Sequence, residues 1–189
     1  KIELMDFQSY FDQFNSKRIL VIGDVMIDAY IRGKVSRMSP EAPVPIVSLD
    51  QREDRLGGAG NVALNLAALG ASPILCSVVG NDQQADLLRR LLKENSISGE
   101  GIVESNARKT TVKTRVIGNN QQLLRVDSEQ TDPITADEEN ELINTAATLI
   151  ETGVDAVIFE DYNKGVLTPR VIEAIVSIAN QHKVITAVD

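Results

Sequence analysis

The apolar residues of this chain follow two alternating rhythms. Short continuous runs, Ile19-Leu20-Val21-Ile22, then 74–79, 154–159 and Val184-Ile185-Thr186-Ala187-Val188, have the length and composition of buried strands. Between them, apolar positions recur every three or four residues. Val62, Ala63, Leu66, Ala67 and Leu69 mark a helix over 59–69 that Gly70 closes. Leu87, Leu88, Leu91 and Leu92 mark a second, capped by Asn81 or Asp82. A third is predicted over 137–150, after the turn Thr131-Asp132-Pro133. A fourth starts at Thr168-Pro169 and carries Ile172, Ile175, Val176 and Ile178. Leu4, Phe7, Phe11 and Phe14 predict a short amphipathic helix over 4–14.

Continuous apolar strands alternating with helices imply an α/β fold with a doubly wound, mainly parallel sheet covered on both faces. Two segments, about 30–56 and 101–127, break the rhythm and read as short β inserts that could pair into a small second sheet. Along 110–117 the side chains of Thr111, Lys113 and Arg115 share one face and those of Val112, Thr114 and Val116 the other. Gly118-Asn119-Asn120 turns the chain into the next strand.

Composition narrows the functional classes. With 189 residues, 43% of them hydrophobic, the chain can bury one core. The net charge of -8, without a run of Lys and Arg, leaves no electrostatic footprint for nucleic acid. No apolar stretch reaches the ~20 residues of a membrane span, so no membrane partner is expected. Cys76, the one cysteine, sits in an apolar run and can form no intrachain disulfide, in keeping with a reducing, cytoplasmic compartment. His182, the one histidine, falls on a polar helix end away from any motif. The chain begins without Met and stops directly after a strand, as part of a longer protein would.

Candidate chemistry gathers where predicted strands end, the edge at which open α/β sheets bind ligands. Asp24 and Asp28 follow the first strand, and carboxylates accept hydrogen bonds from vicinal hydroxyls well. Gly57-Gly58-Ala59-Gly60-Asn61 opens a helix, where free backbone N–H groups favour an oxygen-rich ligand and missing side chains allow close approach. Lys113 and Arg115 could hold a phosphate. Asp161-Tyr162-Asn163-Lys164-Gly165 follows another buried strand and reaches the same edge. Each motif also has a purely structural reading as turn, cap or solvated face. Gly58 to Ala63 further matches the dinucleotide pattern GxGxxA with Asp82 about twenty residues on, so a dinucleotide-binding domain stays open.

Together these segments resemble the ribokinase-like sugar kinase family. Ser36-Arg37-Met38-Ser39-Pro40-Glu41-Ala42-Pro43-Val44-Pro45 and Asn119-Asn120-Gln121-Gln122-Leu123-Leu124-Arg125-Val126-Asp127 resemble its heptose 7-phosphate branch in ADP-heptose and lipopolysaccharide core synthesis. The chain departs from that branch at Leu56, where proline is frequent, and at Glu160, where serine is frequent. The resemblance implies that residues 1–189 are the N-terminal part of one ribokinase-like domain, with its C-terminal part missing and the inserts acting as a lid. It implies that Asp28, Gly57, Gly58 and Asn61 hold sugar hydroxyls, with Asp24, Asp161 and Lys164 nearby. Lys113 and Arg115 would reach from the lid toward the 7-phosphate. The implied reaction uses ATP and Mg2+ to phosphorylate the anomeric hydroxyl, giving a 1,7-bisphosphate. The base is expected beyond Asp189, so no catalytic residue and no metal ligand is assigned here. A homodimer through the lid is also implied. A kinase for another sugar, such as fructose or ribose, and a catalytically silent sugar-binding module are the remaining alternatives.

Overall fold

The computed structural model describes residues 11–189. The predicted helix over 4–14 lies mostly outside them; its described end leads into a single 3-10 turn, Gln13–Ser16. Five strands then build a parallel sheet: β1 (Arg18–Gly23), β4 (Ser72–Gly80), β5 (Ser98–Ser105), β8 (Ala156–Glu160) and β9 (Ile185–Val188). Their order is β5-β4-β1-β8-β9, with every neighbouring pair parallel. The sheet is wound in both directions from the central strand β1.

Both faces of β1 are covered, which is why its sequence is apolar throughout. Leu20 and Ile22 face α3 (Ala136–Glu151) and α4 (Pro169–Gln181), in a core with Leu142, Ala146, Val171 and Ile175. Ile19 and Val21 face α1 (Ala59–Ala68) and α2 (Gln83–Glu94), in a second core with Ala63, Leu88 and Leu92. Local signals set the helix starts. Thr135 and Glu138 form a reciprocal capping box on α3, and Thr168 caps α4 with Pro169 in its first turn. Asp82 caps α2 by accepting from the amides of Gln84 and Ala85, and its other oxygen accepts from Thr110. That carboxylate is fully employed, which removes the ribose contact that a dinucleotide site would ask of it.

A second sheet of four strands stands beside the first, in the order β3-β2-β6-β7, with β2 (Val25–Met38), β3 (Pro45–Gly58), β6 (Val112–Gly118) and β7 (Gln121–Ser128). β2 pairs with β3 antiparallel and with β6 parallel, and β6 pairs with β7 antiparallel. Asn119 and Asn120 both take positive φ, 51° and 65°, and make the tight turn between β6 and β7.

The insert boundaries require correction. The first begins at Val25, not near residue 30, because only Asp24 separates β2 from β1 and Val25, Ile27 and Ala29 of β2 still pack into the core. The second, 101–127, is divided: Ser98–Ser105 is the edge strand of the large sheet, and only β6 and β7 join the small one. An edge strand covered on one face alternates in burial, as Gly101, Val103 and Ser105 do, and so imitates a strand of an exposed sheet. Across the large sheet the other edge is β9, where Ile185 and Val188 are exposed.

Candidate sugar site

The site is built where the two sheets join. The chain leaves β1 at Gly23, passes through Asp24 and enters β2, while β3 returns to Gly58 and starts α1. Gly58 has φ 56°, and a Cβ there would lie 2.3 Å from the carbonyl oxygen of Asp24. A side chain at Gly57 would meet the Asp28 carboxylate, with Oδ2 at 2.6 Å. The two glycines therefore let the end of β3 close on β2 and on Asp28.

Asp28, Gly57, Gly58 and Asn61 line one cleft of about 470 Å³, together with Lys113 and Arg115. That size falls in the range of small-molecule sites. The cleft adjoins the carboxyl ends of β1 and β8, the ligand-binding edge of an open α/β sheet. A cleft of similar volume, about 480 Å³, lies at the amino ends of β1, β4 and β5, where the Arg18 guanidinium is taken up by the carbonyls of Thr152 and Gly153. Position and unspent polar groups favour the first cleft.

The wall formed by the small sheet carries an ordered charge pattern. Strand register sets Arg55, Asp28, Lys113 and Asp127 side by side on β3, β2, β6 and β7, alternating in sign. In the next row stand Glu53, Tyr30, Arg115 and Arg125. Arg115 Nη1 donates to Asp28 Oδ1 at 2.5 Å. Lys113 Nζ donates to Asp127 at 3.0 Å and Glu129 at 2.8 Å. Partial burial works against the charges of Lys113 and Arg115, but their carboxylate partners outweigh it and both pKa values stand above the ordinary range. The guanidinium groups of Arg32, Arg55 and Arg115 lie 5.3–5.5 Å from the Tyr30 ring centre.

Three residues singled out in the sequence occupy other places. Asp24 is fully buried, and its carboxylate accepts from the amides of Tyr162 at 2.9 Å, Lys164 at 2.9 Å and Val166 at 3.2 Å. Burial raises its pKa against the pull of these donors. It anchors the loop after β8 and does not face the cleft. Asp161 accepts from the amide of Asn163 within that loop, and Lys164 turns its Nζ to Glu129 at 3.1 Å. The loop instead offers Tyr162 to the cleft.

Met26, Tyr30, Arg55 and Arg125 also line the cleft and were not singled out in the sequence. Strand parity with Asp28 and Gly57 could have found Tyr30 and Arg55, each two residues away. Arg125 needs the pairing of β7 with β6, which no local signal states. The GxGxxA match has the wrong context, since the strand before it belongs to the antiparallel part of the small sheet. Among the described residues no group of three or more His, Cys, Asp or Glu side chains is placed to hold a metal ion.

A family model described as pfkB family carbohydrate kinase matches residues 16–189. The Bifunctional protein HldE of Citrifermentans bemidjiense is 44% identical over 174 residues, which are 92% of this chain and 36% of that protein. The Bifunctional protein HldE of Helicobacter pylori is 46% identical over 166 residues, 88% of this chain and again 36% of that protein. The chain thus spans well under half the length of these curated relatives. Among solved structures, a putative phosphofructokinase from Staphylococcus aureus superposes with a TM-score of 0.70 at 14% identity, covering 90% of this chain and 52% of that one. Arabidopsis thaliana ribokinase complexed with ribose and ATP gives 0.62 at 12% identity, covering 92% and 53%. At these identities the structural likeness establishes a ribokinase-like fold and nothing further.

Proposed function

Because the chain belongs to the pfkB family of carbohydrate kinases, we propose that it forms the sugar-binding part of an ATP-dependent kinase for D-glycero-D-manno-heptose 7-phosphate. The reaction transfers a phosphoryl group to the anomeric hydroxyl and gives the 1,7-bisphosphate, a step toward ADP-heptose and the lipopolysaccharide core. The observation that carries this reading is the cleft itself: hydroxyl-binding groups at Asp28, Gly57, Gly58 and Asn61 adjoin a wall of cations that includes Lys113 and Arg115. A sugar bearing a phosphate at one end fits that division. The likeness in the 36–45 and 119–127 segments supports the heptose branch over other sugars.

In this reading the chain's own residues bind and orient the acceptor. Asp28 accepts from sugar hydroxyls, the first turn of α1 offers backbone N–H groups, and the small-sheet wall that carries Lys113 and Arg115 faces the 7-phosphate. Asp24, occupied by three amides, is unsuited to act as the general base, and the base is placed outside residues 1–189. ATP and Mg2+ supply the phosphoryl group and charge neutralisation in such a transfer. Asp161 and Lys164 order the loop that presents Tyr162. A two-fold dimer through the small sheet belongs to the same proposal, supported by Leu124 and Val126, which are exposed on its β7 edge. A cytoplasmic location belongs to the same proposal, in keeping with a sequence whose one cysteine, the buried Cys76, can form no intrachain disulfide.

The test is ATP turnover by the protein at its full natural length, with heptose 7-phosphate, fructose 6-phosphate, fructose and ribose offered separately. Turnover confined to heptose 7-phosphate is expected. Turnover of another sugar would keep the kinase and discard the substrate; silence on all four would favour a binding module.

A further inference from the structure

The four cations facing the cleft differ in how many of their hydrogen-bond donors are already spent. Lys113 is held between two carboxylates. Arg115 is tied through Nη1 to Asp28, and the same nitrogen bonds the Lys113 carbonyl at 3.4 Å. Arg55 gives its Nε to Glu53 at 2.6 Å and, like Arg125, has both terminal nitrogens unpartnered among the described residues, but it lies over the Tyr30 ring on β3, in register with Asp28 itself. Arg125 makes one contact, Nε to Asp127 at 2.9 Å, and its side chain is 50% exposed. Its two terminal nitrogens have no partner among the described residues.

Arg125 also stands directly opposite Arg115 on the neighbouring strand, and both line the cleft. Like charges facing each other across two strands are unfavourable unless something negative joins them. Asp28 and Asp127 answer part of that charge, each from one side. An anion between the strands would answer the rest. β7 lies two strands from β2, about 10 Å across the sheet. That spacing matches the reach of a phosphorylated sugar from hydroxyls held at Asp28, whereas Arg55 stands directly beside Asp28 on β3, within reach of the hydroxyl end.

We infer that Arg125 is the side chain that reads the phosphate of the acceptor sugar, and that Arg115 is a positioning residue for Asp28. The inference rests on the proposed reading that the acceptor is phosphorylated. The free fork of Arg125 can give two parallel hydrogen bonds to phosphate oxygens. Arg115 holds Asp28 Oδ1, which leaves Oδ2, above Gly57, to accept from a sugar hydroxyl. Lys113, neutralised by its two carboxylates, ties β6 to Asp127 and Glu129 and stiffens the wall.

The experiment measures the affinity of the full-length protein for heptose 7-phosphate and for unphosphorylated heptose, in the wild type, Arg125→Gln, Arg115→Gln and Arg115→Lys. Arg125→Gln is expected to weaken the phosphorylated sugar by about 10- to 100-fold and the unphosphorylated one by less than about 3-fold. Arg115→Gln is expected to weaken both alike, and Arg115→Lys, which keeps a cation beside Asp28, to restore most of the loss. Discrimination that survives Arg125→Gln in a protein that otherwise prefers the phosphorylated sugar overturns the inference alone. A wild type that binds both sugars equally overturns it together with the heptose phosphate reading. Unfolding midpoints of the variants keep a folding defect separate from a binding defect.

Discussion

Asp24 and Asp28 are four residues apart and look equivalent in the sequence, yet one anchors a loop and the other lines the cleft. The difference comes from a crossing between sheets: β1 ends at Gly23 inside the core, and Asp28 is already on the open face of β2. Asp24→Asn places an amide against backbone donors, and each unsatisfied donor costs about 1–3 kcal/mol. The expected outcome is a protein destabilised by that order, with the 161–166 loop exchanging its amides faster, as hydrogen exchange would record. Gly57→Ala tests the cleft. A methyl group there collides with Asp28 Oδ2 and with the buried Met26, so sugar affinity should fall by about 10-fold or more, with a lowered unfolding midpoint from the overpacking. The sequence pointed to both carboxylates; the partners that separate their roles lie some 140 residues away, at Tyr162, Lys164 and Val166, beyond the reach of local pattern.

At the scale of elements, the loop after β8 and the small sheet are joined through Glu129, which takes Lys113 on one oxygen and Lys164 on the other. The hydrogen bond from Lys113 holds the Glu129 carboxyl below the usual range, against its partial desolvation, with Lys164 adding to the effect. A depressed carboxylate stabilises the fold above its unfolded value, near 4.5, and the contribution fades as pH falls through the lower folded value. Glu129→Gln should therefore speed amide exchange in β6 and β7 relative to wild type at pH 7. The difference should narrow below pH 4.5 as the wild-type carboxyl protonates. Helix starts at Asp82 and Thr168 were legible because capping is local, whereas the Thr135 cap, equally local, was passed over for the turn at Thr131-Asp132-Pro133. The division of residues 101–127 between two sheets was not, because an edge strand of a buried sheet and a strand of an open sheet share the same alternation.

For the whole molecule, the doubly wound architecture was legible because a strand buried on both faces must be apolar at every position, and β1 and β4 are nearly so. Leu142 shows how one of the two cores depends on it: fully buried on α3, which packs on β4 and β5, it should cost about 2–5 kcal/mol when replaced by alanine, read as a lower midpoint in chemical denaturation. The parallel pairing of β2 with β6, which sets the rows of alternating charge, joins segments more than 80 residues apart, and only the fold reveals it. That pairing brings Lys113 and Arg115 beside Asp28 in one cleft. Kinetics of Asp28→Asn in the full-length protein test this placement most directly. The expected result is a KM for heptose 7-phosphate raised by about 10- to 100-fold with the KM for ATP unchanged. A sugar KM that stays at the wild-type value would contradict the assignment of this cleft to the acceptor.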